Sequence, residues 1–155
     1  MKCKKICTPV LFLILLSLCI FDACKPTEIT FPVNIQNAGE VGTLHFEIVY
    51  DSDNYKALRV DKNDSFIDIL LESDISTPGH IIVGVVSGGG INGNGTIATI
   101  VLQKTKGGTG RAITLENVIA YDTAATFELP LKASIEESDS ESPTTGIIEF
   151  LPTTE

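Results

Sequence analysis

Polar and apolar residues alternate one by one along TLHFEIVY, residues 43–50. Leu44, Phe46, Ile48 and Tyr50 fall on one side of an extended chain; Thr43, His45, Glu47 and Val49 fall on the other. A period of two marks a strand with one buried face. Shorter runs rich in Val, Ile, Thr and Phe recur at 29–35, 57–60, 66–71, 80–86, 96–104, 112–121, 126–135 and 146–150. Gly, Pro, Asn and Asp separate them, as expected between strands. Helical spacing with start and stop signals is missing from the chain beyond its first 24 residues, although FIDILLESD would also fit one or two helical turns. About nine short strands at this spacing predict an all-β fold, an antiparallel two-sheet β-sandwich. Pro32 and Pro130 interrupt two of the runs, which predicts sheet edges or bulges there.

Between two of these runs lies SGGGINGNGT, residues 87–96, with five glycines in ten positions. A phosphate-binding loop needs a strand before it, a helix after it and usually a Lys at the helix start. Here the following segment, TIATIVLQK, has a strand pattern and no Lys stands at the required spacing. The predicted role is a chain reversal, with glycine supplying positive φ at little steric cost. KGGTG, residues 106–110, reads the same way.

The first 24 residues differ from the rest. Lys2, Lys4 and Lys5 precede an apolar run from Val10 to Phe21, interrupted only by Ser17. This is the pattern of an export signal, and the run is too short to cross a hydrocarbon core about 30 Å thick as a helix. Ala23 then precedes Cys24, which resembles a lipobox, where the cysteine is lipidated and becomes the first residue; Cys19 is the alternative. All four cysteines lie in this segment, so the exported part has neither a disulfide nor a thiol. The predicted organisation is a signal peptide at 1–24, a linker at 25–28, one sandwich domain at 29–151 and a loose end at 152–155. The 155 residues include 11 basic and 20 acidic ones. Removing the signal takes three lysines and Asp22, leaving 8 basic and 19 acidic residues and a formal charge of −11. Such a surface repels nucleic acid over long range.

Chemistry is sparse. The acidic turns beginning at Asp51 and Asp61 superficially suit calcium. However, an EF-hand loop beginning at Asp61 would need a glycine where Phe66 stands and an apolar residue where Asp68 stands. Carboxylates that initiate turns explain them better. Of two histidines, His45 and His80, neither has a sequence-local Ser or Asp arrangement suggesting a triad. Alternation places His45 and Glu47 side by side on an outward face. No catalytic residue, metal ligand or cofactor site is predicted.

Four segments taken in order resemble a known family. ITFPVNIQNAGEVGTLHFEIVYDSDNYKALRV is similar to the opening of a cohesin domain, and TPGHIIVGVVSGGGINGNGTIATIVLQKTKG to its middle. ITLENVIAYD resembles the strand that follows and TTGIIEF the last strand. The resemblance implies a nine-stranded jelly roll without catalytic activity that binds a dockerin, and so holds polysaccharide-degrading enzymes on a scaffold or cell surface. Related sandwiches are carbohydrate-binding modules, which makes polysaccharide the alternative partner; a structural surface lipoprotein is the third reading. Their flat platform is a row of aromatics, and Tyr50, Tyr55 and Tyr121 without any Trp make a poor one. The resemblance puts partner contacts on Thr43, His45 and Glu47, on Val85 and on Gly88. Ile81 and Val83 share the face of Val85. HIIVGVV is apolar on both faces, so its pattern leaves open whether that stripe meets a partner or the core. A lipidated Cys24 would attach such a module to a membrane.

Overall fold

The computed structural model describes residues 27–105, 113–136 and 144–152. Seven strands follow one another: β1 (Glu28–Tyr50), β2 (Tyr55–Lys62), β3 (Leu70–Asp74), β4 (His80–Lys104), β5 (Ile113–Asp122), β6 (Leu131–Glu136) and β7 (Thr145–Phe150). The all-β fold predicted from the pattern is the one the chain adopts.

β1 and β4 each run on through a bend, so each contributes an arm to both layers of the sandwich. In the first layer, β1 from 28 to 36 pairs antiparallel with the far arm of β4 and parallel with β7. β2 flanks β4 and β6 flanks β7, giving the order β2-β4-β1-β7-β6. In the second layer, β1 from 43 to 50 pairs with β4 from 80 to 86 on one side and β5 on the other. β3 closes the β4 edge. The inward residues of both layers form one core. Phe31, Val33 and Ile35 of the first β1 arm join Leu44, Phe46 and Ile48 of the second in it, and all six are buried. Tyr50 carries a polar group into the core. Its hydroxyl accepts the backbone N–H of Ala57 in β2 at 3.3 Å, so one hydrogen bond ties the layers together.

The glycine stretch forms the bend of β4, which lies against the bend of β1. Ala38 pairs with Gly93 and Val41 with Ile91 across this corner. Asn94 Oδ1 accepts the Asn37 N–H at 2.6 Å, and Asn92 Oδ1 accepts the Glu40 N–H at 2.9 Å. Gly90 and Gly93 take φ of 78° and 89°, a region that a Cβ disfavours. Ile91 fills the inside of the corner, where it is buried. The segment thus reverses nothing by itself: it carries a paired strand from one layer to the other.

Three expectations change. The nine predicted strands become seven, because 29–35 with 43–50, and 80–86 with 96–104, are each one strand that stays paired around the corner. The sandwich is not purely antiparallel, since β7 runs parallel to β1. Pro32 pairs with Thr99 of β4 but precedes the β7 pairing, which starts at Val33, so it stands at a locally open side with a register shift following at Val33/Asn34. Pro130 lies just before β6, and of the 66–71 run only the last two residues belong to β3. The cysteines, the signal segment and KGGTG lie outside the described residues.

Candidate functional site

The outer face of the second layer is a four-stranded grid whose rows follow from the pairing registers. At the corner end, Leu70, Val86, Thr43 and Tyr121 stand in one row across β3, β4, β1 and β5. Glu72, Gly84, His45 and Ile119 form the next row. Asp74, Ile82, Glu47 and Glu116 form the third.

Five large apolar residues on this grid face solvent: Leu70 is 61% exposed, Val86 50%, Ile82 41%, Ile119 39% and Tyr121 37%. Elsewhere among the described residues, large apolar side chains are exposed only at Ile67, Phe127 and Leu151. Apolar exposure concentrated on one sheet face suits an interaction surface.

Polar groups organise its centre. Glu47 accepts a hydrogen bond from Asn117 Nδ2 at 2.9 Å, and its other oxygen lies 3.7 Å from His45 Nε2. Asn117 reaches Glu47 because β5 bulges: the register slips between His45/Ile119 and Glu47/Glu116, and Asn117 takes a φ of 49°. Asp74 Oδ1 accepts the Ser76 N–H at 2.8 Å. That backbone bond, with a further one from the Ser76 side chain, holds the Asp74 carboxyl below its ordinary value of 3.8. Glu47, Asp74, Thr77, His80 and Ile82 line a shallow depression of about 270 Å³ at the acidic end of the face.

Thr43, His45 and Glu47 are half-buried and point outward, as the alternation required. Gly88 is exposed at the corner, one step of two beyond Val86. Ile81, Val83 and Val85 do not join them. All three are buried in the core against the other layer, with Val85 only 1% exposed. The outward residues of β4 are Ile82, Gly84 and Val86. The reason is parity: Val85 stands opposite inward Leu44, whereas Val86 stands opposite outward Thr43. In a segment apolar on both faces, only that pairing tells inside from outside. Leu70, Ile119 and Tyr121 were missed because they lie on neighbouring strands whose registers the sequence does not print. Asn117 was missed because a bulge breaks the alternation that would have placed it.

The other candidate chemistries are taken up by the fold. Asp51 Oδ1 accepts the Asp53 N–H at 2.9 Å, and its other oxygen accepts the Asn54 side chain, so this carboxylate builds its turn. Asp61 pairs with Arg59 at 3.0 Å. Among the described residues no three of His, Cys, Asp and Glu converge as a metal-ligand set. Tyr50 and Tyr55 are buried, which leaves Tyr121 alone of the three tyrosines on the surface. Cys24 lies outside the described residues.

Known structures share this architecture. A cohesin from the archaeon Archaeoglobus fulgidus superposes with a TM-score of 0.60 at 20% identity, over 80% of this chain and 81% of that one. The type I cohesin of a cohesin–dockerin complex from Clostridium thermocellum gives 0.55 at 18% identity, over 80% and 89%. A type II cohesin from Bacteroides cellulosolvens gives 0.54 at 13% identity, over 64% and 80%. At these identities the likeness establishes the fold. No curated protein matches the sequence. The cohesin-domain family profile matches residues 25–151, which span every described strand. The chain therefore belongs to the cohesin family.

Proposed function

We propose that this protein is an exported, non-catalytic anchor whose second-layer outer face binds a dockerin module. The observation that carries the reading is the apolar set Leu70, Ile82, Val86, Ile119 and Tyr121, left uncovered around Thr43, His45 and Glu47. A sheet face of this kind suits a partner helix, and about 800 Å² per side is ordinary for a specific complex. Family membership supports the partner class, since several of the similar structures are cohesins in complex with dockerins. A lipidated Cys24 would then hold the module at a membrane, and its partners would be enzymes of polysaccharide degradation.

The test is calorimetric titration of the purified domain with individual recombinant dockerins, alongside Val86→Asp. Val86 is half exposed, so covering the rest of it contributes about 1 kcal/mol. A carboxylate there, desolvated under a partner and unpaired, costs several kcal/mol more, so Val86→Asp is expected to weaken binding by at least about 100-fold. Binding that survives Val86→Asp unchanged would remove this face from the reading. Detergent partitioning of the full chain, with and without Cys24→Ser, tests the anchor.

A further inference from the structure

We infer that the partner of this face is cationic at one end of its contact surface, opposite the row Asp74, Glu47 and Glu116, and apolar at the other. The inference rests on the reading of this face as partner-binding and adds the chemistry and orientation of the partner.

Charge is segregated between the two layers. Every described Lys and Arg lies on a first-layer strand: Lys56, Arg59 and Lys62 on β2, Lys104 at the end of β4, and Lys132 on β6. First-layer acids use them, as Arg59 does with Glu28 and Asp61. Lys62 is committed to the backbone carbonyls of Ile67 and Ile69. Among the described residues the second-layer face carries Glu47, Glu72, Asp74 and Glu116 and no Lys or Arg. Its one described ion pair is His45 with Glu47.

Glu47 and Glu116 also occupy paired positions on adjacent strands. Like charges directly opposite each other destabilise a sheet. Thr114 and Asn117 each donate one hydrogen bond to this pair, but neither supplies a positive charge. Such a pair at the rim of an uncovered apolar face is arranged to meet external cations.

The acids are graded along the face: the corner row has none, the middle row has Glu72 along with Ile119, and the third row has three carboxylates around Ile82. Leu70, Val86 and Tyr121 occupy the corner row, and Asp74, Glu47 and Glu116 the row two steps away. The four residues that separate these rows along a strand span about 13–14 Å. A matching partner carries an apolar patch and, about that distance from it, two or more Lys or Arg side chains. This polarity allows one orientation of the partner and penalises its reverse, which would set cations on Val86 and apolar groups on the carboxylates. A second copy of this chain does not fit, because stacking two such faces apposes eight carboxylates with no Lys or Arg among the described residues between them.

The probes are individual recombinant dockerins chosen to carry cationic, neutral or acidic contact helices. Binding rates are measured by surface plasmon resonance from low to high salt, on the parent domain, the Glu47→Gln/Glu116→Gln double variant and Val86→Asp. The expected result is that cationic dockerins bind, and that added salt slows their association. At low salt the double variant is expected to slow association about 3- to 10-fold, a difference that high salt removes. Its thermal midpoint is expected to stay level or rise, because a repulsive pair is gone. A purely structural role for these glutamates would give the opposite sign. Salt-independent binding of neutral or acidic dockerins, unaffected by the double variant but lost with Val86→Asp, would overturn the charge inference and leave the face reading intact. Failure of every dockerin to bind, or indifference to Val86→Asp, would overturn both.

Discussion

Val85 and Val86 are adjacent residues of the same type, and the fold gives them opposite fates. Val85 is 1% exposed and packs in the core opposite Leu44; Val86 is 50% exposed and stands beside Thr43 on the open face. Replacing each by alanine isolates that difference. At position 85 two methyl groups leave a packed interior, costing about 1.6 kcal/mol in transfer free energy at about 0.8 per group. The void left behind, roughly 50 Å³ if nothing collapses, adds about 1 kcal/mol at ~24 cal/mol per Å³. Val85→Ala should therefore destabilise the domain by about 2–3 kcal/mol. At position 86 half of the transfer term is absent and no enclosed void forms, so Val86→Ala should cost about 0.8 kcal/mol. With a urea m-value of about 2 kcal/mol/M, the unfolding midpoints should fall by about 1.3 M and about 0.4 M. Dockerin affinity should respond in the reverse order: Val86→Ala weakens binding several-fold, and the folded fraction of Val85→Ala binds like the parent. Equal midpoint shifts, or a larger shift for Val86→Ala, would refute the assignment of these two side chains to opposite faces.

A Cβ at Gly42 would stand 2.5 Å from the Asp122 carbonyl oxygen and the Thr123 Cα, both backbone atoms, so Gly42→Ala should cost about 1–3 kcal/mol and lower the thermal midpoint by several degrees; an unchanged midpoint would count against this close approach. Tyr50→Phe should cost about 1 kcal/mol by leaving the Ala57 N–H without its acceptor, a loss measurable by urea unfolding. Asp122 accepts the N–H groups of Phe127 and Thr126, which hold its carboxyl below 3.8, and the Ser76 bonds do the same for Asp74. A depressed folded-state pKa stabilises fully above the unfolded value, so this contribution should be lost as pH falls below about 3.8 and through the lower folded values. Asp122→Asn keeps an acceptor without a charge and should flatten the acid limb of the urea midpoint against pH, whereas Asp122→Ala should lower the midpoint at neutral pH as well.

Much of this was legible along the chain. Alternation in 43–50 placed Leu44, Phe46, Ile48 and Tyr50 inside and Thr43, His45 and Glu47 outside, because a half-buried strand writes its two environments in alternate letters. The glycine stretch was recognisable as backbone geometry because no helix follows it and no Lys stands where a phosphate would need one. What the sequence omitted is partnership between strands. The corner at 87–95 reads as a break, yet Asn92 and Asn94 keep it bound to β1, and two runs become one strand. In 80–86 both faces are apolar, so no local signal separates Val85 from Val86.

By itself the sequence determined that the chain forms strands and that residues 43–50 have one wet and one dry side, since those follow from local sterics and the solvation of each residue. Only the tertiary structure decided which side of β4 is wet, which residues of β3 and β5 share its rows, and that four carboxylates gather on a face with no Lys or Arg among the described residues. Those outcomes depend on hydrogen-bond register between segments remote in sequence, and shifting a register by a single residue exchanges the buried set for the exposed one.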